Sequence, residues 1–360
     1  MRQAKNANQL HVCVAASLAL GLLASSSTAR ADQMMASKPI TIRFGVEADF
    51  ASSNRVDQIH SDLELLYNSA GTFGAGIDFN AGPLGSFATN HYYVNASRRF
   101  TPATIPAQFA FWGASNGQTV WTLSQASSLP NALWLGVAGE NIPAAGTAEM
   151  VDWSPGQNNG TAAAKWLELS LVGVRGPAGA NVSLYQILAN NQPSVYWATS
   201  DGIASNDAFY VQSGAHLHAW WVFTQPGTYE IDVQLRTNTN LNWLAGDANR
   251  DGFVDRLDLN ALAQNFGTRN DWFAGDFTGD GLVDLQDFFA LGANWNPANG
   301  SLAAAWADAR ASVPEPATIA SLGTMALVAL RRRSGATTCT QVVERSTETV
   351  RPGPSTPTTT

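Results

Sequence analysis

Oxygen-bearing residues recur at a fixed spacing late in the chain. Gly246-Asp247-Ala248-Asn249-Arg250-Asp251-Gly252-Phe253-Val254-Asp255 returns 29 residues later as Gly275-Asp276-Phe277-Thr278-Gly279-Asp280-Gly281-Leu282-Val283-Asp284. Counted from the first aspartate, positions one, three, five, nine and twelve hold Asp247, Asn249, Asp251, Asp255 and Asp258, with the Phe253 carbonyl at seven and Gly252 at the sharp turn. The second copy assigns the same roles to Asp276, Thr278, Asp280, Asp284 and Asp287, with Leu282 at seven and Gly281 at the turn. This spacing wraps hard oxygen donors around one centre, and the cation it suits is calcium. Two calcium sites are expected. The second is the weaker, because the Thr278 hydroxyl replaces the usual amide or carboxylate.

Two other patterns carry chemistry. His216 and His218 stand two apart in an apolar run, so on a strand they project from one face, close enough to chelate zinc. A third ligand would come from elsewhere, with His91, His60 and Asp49 as candidates. The plainer reading, preferred on sequence alone, is a pair of histidines hydrogen-bonded at a sheet edge. Gly113-Ala114-Ser115-Asn116-Gly117 matches the G-x-S-x-G nucleophile elbow, but an elbow needs a strand followed by a helix. Here Gln118 to Trp121 read as another strand, which places Ser115 in a hairpin turn. The carboxylates of the large β region show no acid–nucleophile pairing, and a non-catalytic protein is expected.

The elements that must position these residues begin after an export leader. Arg2 and Lys5 precede an apolar stretch from Val12 to Ala24, and Ala29-Arg30-Ala31 supplies a cleavage site, so residues 1–31 read as a signal peptide. Cleavage removes Cys13 and leaves only Cys339, so the body cannot rely on disulfides. Charged residues make up 13% of the chain and the net charge is -8, with no basic run outside the terminal signals, which excludes nucleic acid as a partner.

Residues 39–236 read as a mostly β, antiparallel β-sandwich ectodomain. Tyr229 to Arg236 alternates apolar and polar residues, Leu167, Leu169 and Leu171 repeat the pattern, and further strands are expected at Phe109–Phe111, Trp134–Val137 and Val182–Leu188. A helix is expected over Asn54–Tyr67, where Val56, Ile59, Leu63 and Leu66 or Tyr67 share a face. Core burial is the default for Trp112, Trp121, Trp134 and Trp166, whereas Trp220 and Trp221 face opposite ways. Residues 237–245 and 297–312 read as linkers that permit domain motion. Between them, residues 246–296 form a small α-helical calcium-binding module, each loop leading into a short amphipathic helix: Leu259, Leu262, Ala263 and Phe266, then Phe288, Leu291, Gly292 and Trp295.

At the C-terminus Val313-Pro314-Glu315-Pro316 precedes an apolar segment, Ala317 to Leu330, and Arg331-Arg332-Arg333. Fourteen residues make a helix of about 21 Å, short of the roughly 30 Å hydrocarbon core. Transient membrane insertion, with the arginines on the cytoplasmic side, suits it better than a permanent anchor. The tail, residues 334–360, is polar, rich in Thr and Pro, and reads as disordered.

Three resemblances attach to these residues. Two loops ending in Asp, each with one trailing helix, resemble the dockerin type I module. That likeness implies docking onto a cohesin-type partner, chiefly in polysaccharide-degrading assemblies, with Arg256, Leu257, Leu285 and Gln286 at the positions that read the partner. Residues 313–333 resemble the PEP-CTERM sorting signal, which implies an exosortase-type sorting enzyme and display on the cell envelope surface or release outside the cell. The run His216-Leu217-His218-Ala219-Trp220-Trp221-Val222-Phe223-Thr224-Gln225-Pro226-Gly227-Thr228-Tyr229, with Trp134 to Val137 and Gly176-Pro177, resembles the signature of the choice-of-anchor M surface domain. Some relatives there are associated with metal-uptake transporters. The family's opening G-H-x-D appears here as Gly45-Val46-Glu47-Ala48-Asp49, without its histidine. Together these imply a surface or matrix protein. The alternatives are a secreted polysaccharide-binding or polysaccharide-degrading protein, or a surface zinc-binding protein.

Overall fold

The computed structural model describes residues 32–48, 55–56, 60–78, 85–86, 91–126 and 133–313. The leader, Asp49, the sorting residues Pro314, Glu315 and Pro316, and the tail lie outside these; Val313 is the last residue described. The protein is mostly β, and the strands among the described residues fall in three sheets. In the first sheet the order is Ala208–Gln212, Trp166–Arg175, Gly227–Thr239, Ile40–Val46, His91–Val94 and Arg55–Val56, and Gln33–Ala36 pairs with the far half of Gly227–Thr239. The second runs His216–His218, Trp134–Ala138, His60–Ser69, Thr72–Asp78, Gly85–Ser86, and the third Pro193–Ala198, Val182–Ile187, Trp220–Phe223, Val120–Leu123, Arg99–Phe100.

Not all pairing is antiparallel. Trp134–Ala138 runs parallel to His60–Ser69, and Ile40–Val46 and Arg55–Val56 run parallel to His91–Val94. A large apolar core lies among the sheets, built from alternate residues such as Leu167, Leu169 and Leu171 of the first, Leu63, Leu65, Leu135 and Val137 of the second, and Leu184, Trp197, Trp221 and Phe223 of the third. Trp197 and Trp221 are fully buried and meet edge to face at 5.5 Å. Burying each large side chain contributes on the order of 1.5–3 kcal/mol relative to leaving it in water.

Several expectations give way to the fold. Residues 60–69 are a strand and not part of a helix: Leu63, Leu65 and Tyr67 enter the core while His60, Asp62 and Glu64 take the opposite face, a period of two that the spacing of the leucines had masked. Phe109 and Phe111 lie on a 3-10 turn, Ala107–Trp112, that gathers Phe109, Phe111 and Trp112 around Tyr185. Gly113, at φ 65°, closes that turn, so Ser115 lies between a helical turn and the Val120–Leu123 strand: it is not in the expected hairpin turn, and the order is the reverse of an elbow. Residues 237–239 are no linker but the end of the longest strand: Thr237 and Thr239 are buried and donate their hydroxyls to the Trp166 and Gln33 carbonyls at 2.8 and 3.0 Å. Residues 302–312 form a helix that lays Trp306 on Phe266 and Phe288 at 5.3 and 4.8 Å.

The β body and the loop region belong to one compact unit that ends at Arg310. Among the described residues no helix is long and apolar enough to cross a membrane.

Candidate functional sites

The two calcium-type loops fold alike. In the first, the Gly252 amide donates to Asp247 Oδ2 at 2.9 Å, the Phe253 amide to Asp251 Oδ1 at 2.9 Å, the Asp255 amide to Asp258 Oδ2 at 2.9 Å and the Leu257 amide to Asp255 Oδ1 at 2.8 Å. In the second, the Gly281 amide donates to Asp276 Oδ2 at 2.9 Å, Leu282 to Asp280 Oδ1 at 2.8 Å, Asp284 to Asp287 Oδ2 at 2.8 Å and Gln286 to Asp284 Oδ1 at 2.7 Å. Asp258 and Asp287 also accept from the amides of Asn249 and Thr278, at 3.2 and 2.9 Å. Thr278 turns its hydroxyl toward Asp276 Oδ1 at 3.4 Å.

Local sequence explains this geometry. Asp255 and Asp284 cap the Arg256–Asn265 and Leu285–Asn294 helices, and Asp258 and Asp287 complete a capping box in each. The duplication packs reciprocally. A side chain at Gly246 would meet Leu291 of the second helix, and one at Gly275 would meet Leu262 of the first, each at 2.7 Å from the helix backbone. Asp247, Asp258, Asp276 and Asp287 are buried. Burial raises the carboxyls of Asp258 and Asp287, and it drives Asp276 up to about 7, helped by the nearby Asp287 and Asp280 charges. Carboxylates crowded in this way are relieved by a bound divalent cation.

A second site lies on the second sheet, and strand register builds it. Trp134 is paired with His60, Gly136 with both Asp62 and His218, and Ala138 with both Glu64 and His216. These residues therefore share the face turned away from the core. Leu217 points the other way and packs on the core, and at Ala219 the chain leaves this sheet so that Trp221 and Phe223 can enter the core from the third. Of the candidate third ligands, His60 joins the pair and His91 begins a strand of the first sheet.

The nitrogen atoms His60 Nε2 and His218 Nε2 are 2.8 Å apart, and His216 Nδ1 lies 2.7 Å from Glu140 Oε1. Asp62 Oδ2 is 3.5 Å from His60 Nε2 and Asp62 Oδ1 is 3.9 Å from His218 Nε2. Trp134 is only partly buried and stacks on His218 at 4.0 Å with 13° between the planes, so it roofs the site and does not belong to the core. Burial, then the neighbouring His60 and His216, lowers His218 to about 4 and keeps it neutral, whereas the Glu140 hydrogen bond raises His216. Burial raises Asp62 and Glu64. Glu64 accepts the Asn141 amide at 2.8 Å, and Asp78 accepts from the Asn141 side chain at 3.2 Å.

Sequence reasoning missed Asp62, Glu64 and Glu140. The signal was present in the alternation His60-x-Asp62-x-Glu64, but a helical reading of that stretch scatters these side chains around an axis. A third feature is a cleft of about 460 Å³ on the third sheet, lined by Phe109, Trp112, Tyr185, Trp220 and Arg99 among others, with the rings of Tyr185 and Trp220 nearly parallel. Trp112, Trp121 and Trp166 are buried as expected, and Trp220 faces this cleft while its neighbour Trp221 is in the core. Compared with known proteins, the chain matches no family model, no curated protein and no solved structure.

Proposed function

We propose that this chain is an exported, non-catalytic cell-surface or extracellular-matrix protein, in which a β-sandwich ectodomain is followed by a dockerin-like module stiffened by two calcium ions. The observation that carries this reading is the repetition of one hydrogen-bond set around two aspartate-lined turns 29 residues apart. In both turns backbone amides hold the carboxylates in place, and the acidic oxygens left over suit a hard cation. Residues 1–31 support export, and residues 313–333 support processing by an exosortase-type enzyme after transient membrane insertion.

Calorimetric titration of the full chain with calcium tests the central claim, together with dichroism and limited proteolysis in chelator. Two bound ions are expected, the second weaker, with cleavage between residues 246 and 296 only after calcium is withdrawn. Absence of binding heat, with identical digestion in both conditions, overturns it.

The aromatic cleft favours a second reading, a secreted polysaccharide-binding or polysaccharide-degrading protein docked to a cohesin-type partner. The partly exposed ring of Trp220, backed by the buried Tyr185 and beside Arg99, suits stacking on sugars. The exposed Leu257, Leu285 and Phe289 supply apolar contacts for a partner. Retardation in polysaccharide-containing gels, lost in Trp220→Ala, is the outcome that selects this reading over the first.

A further inference from the structure

The face built from His60, Asp62, Glu140, His216 and His218 is independent of the calcium loops. Two overlapping groups converge there, His60 with His216 and His218, and Asp62 with Glu140 and His216; within each group the ligand atoms lie within 4.8 Å of one another. We propose that this face binds one divalent transition ion of the zinc class, with His60, His216, His218 and Asp62 as its ligands and Glu140 orienting the His216 ring.

The donor set selects the ion. Imidazole nitrogens with one or two carboxylate oxygens suit zinc, whereas calcium takes oxygen donors almost exclusively. Ligand atoms about 2.0–2.1 Å from a tetrahedral ion lie about 3.3 Å from one another. The His60 and His218 nitrogens, at 2.8 Å, need only part slightly to admit an ion in place of the proton they share. A network of hydrogen-bonded histidines accounts for that contact and for the His216–Glu140 contact. It does not account for Asp62, which is only 4% exposed and whose Oδ1 has no hydrogen-bond donor while it faces the His218 ring nitrogen at 3.9 Å. A buried carboxylate oxygen without a donor is costly, and a cation at this point satisfies it.

The surroundings are arranged for the same end. Gly136 sits between Asp62 and His218, and a side chain there would overlap Asp62 Oδ1 and come within 3.0 Å of the His218 ring. The stacked Trp134 holds the His218 ring in one orientation, the role that packing around a metal ligand commonly serves.

Zinc titration of the full chain in saturating calcium, so that the paired loops are already filled, tests this. One zinc per chain is expected, and cobalt in its place should give the visible absorption of a nitrogen- and oxygen-ligated site. His60→Ala and His216→Ala should each weaken zinc binding by about 100-fold or more, and Asp62→Asn by about 10-fold or more. Because His216 is exposed, its variant keeps the fold, which dichroism and unchanged calcium binding verify. No zinc uptake by the parent chain overturns the proposal. So does uptake that the His216→Ala and His60→Ala chains retain in full, since the ion then sits elsewhere.

Discussion

Glu47 follows the Ile40–Val46 strand in a left-handed conformation, φ 47°, held by the hydrogen bond its backbone amide donates to the Val94 carbonyl at 2.9 Å. Its carboxylate accepts from the Arg99 guanidinium and from the Trp121 indole at 2.6 Å, and Arg99 holds the carboxyl below its usual range. A carboxyl lowered by folding stabilises fully above its unfolded value, 4.5, and loses that contribution as pH falls through the folded value. Glu47→Gln should therefore cost roughly 1 kcal/mol at neutral pH, and the difference from the parent chain should close in acid. Urea midpoints of the two chains across a pH series check this; a gap that persists at the acid end would assign the loss to packing. Gly136 makes a different demand at the same scale. Its place between Asp62 and His218 leaves no room for a methyl group, so Gly136→Ala should lower stability by about 1–3 kcal/mol in the same urea assay.

At the scale of elements, each loop depends on one aspartate for two tasks. Asp258 closes the capping box of the Arg256–Asn265 helix while its oxygens stand at the twelfth loop position, and Asp287 does the same for Leu285–Asn294. Asp258→Ala should break the N3 half of the capping box, a loss of about 1 kcal/mol even in chelator, and should remove one calcium from the titration. Asp258→Asn should restore part of the helical dichroism without restoring the ion. These elements were legible because spacing within a loop is local and survives any tertiary context. Strands with a clean period of two, Trp166–Arg175 and Gly227–Thr239, were legible for the same reason. What stayed hidden depends on partners distant in sequence. His60–Ser69 shows leucines at helical spacing, and only the strands on either side and the Asn141 amide make Glu64 tolerable in a strand. Thr237 to Thr239 has no apolar residue at all, and its hydroxyls are satisfied by the Trp166 and Gln33 carbonyls. Leu302–Ser312 is rich in alanine and reads as low complexity until Trp306 finds Phe266 and Phe288.

For the whole molecule, the consequence is mechanical. A linker that permits motion was expected between the β body and the loops, yet the second loop is seated on the first sheet. Gln234, buried in the longest strand, donates Nε2 to the carbonyls of Ser37, Asn270 and Gly281 at 2.7, 3.2 and 3.0 Å, and accepts from Arg269 at 3.2 Å. Arg236 donates to the Gly279 carbonyl at 3.1 Å, and a side chain at Gly279 would overlap the Met34 carbonyl. Trp243 lies against Trp272 at 5.3 Å, with the Arg250 guanidinium 4.1 Å over its ring. With loop and sheet sharing buried hydrogen bonds, an ion that stabilises the loop must also stabilise the sheet. Calcium should then raise the melting temperature read from the near-ultraviolet dichroism of the buried tryptophans Trp197 and Trp221, which lie far from either loop in sequence, along with that of the helices. Gln234→Ala removes the shared bonds made through that side chain and should cost about 2–3 kcal/mol. The same variant should split the calorimetric transition, so that calcium moves only the helical part. If the tryptophan transition ignores calcium in the parent chain, the two regions melt independently and the seat on Gln234 carries no coupling.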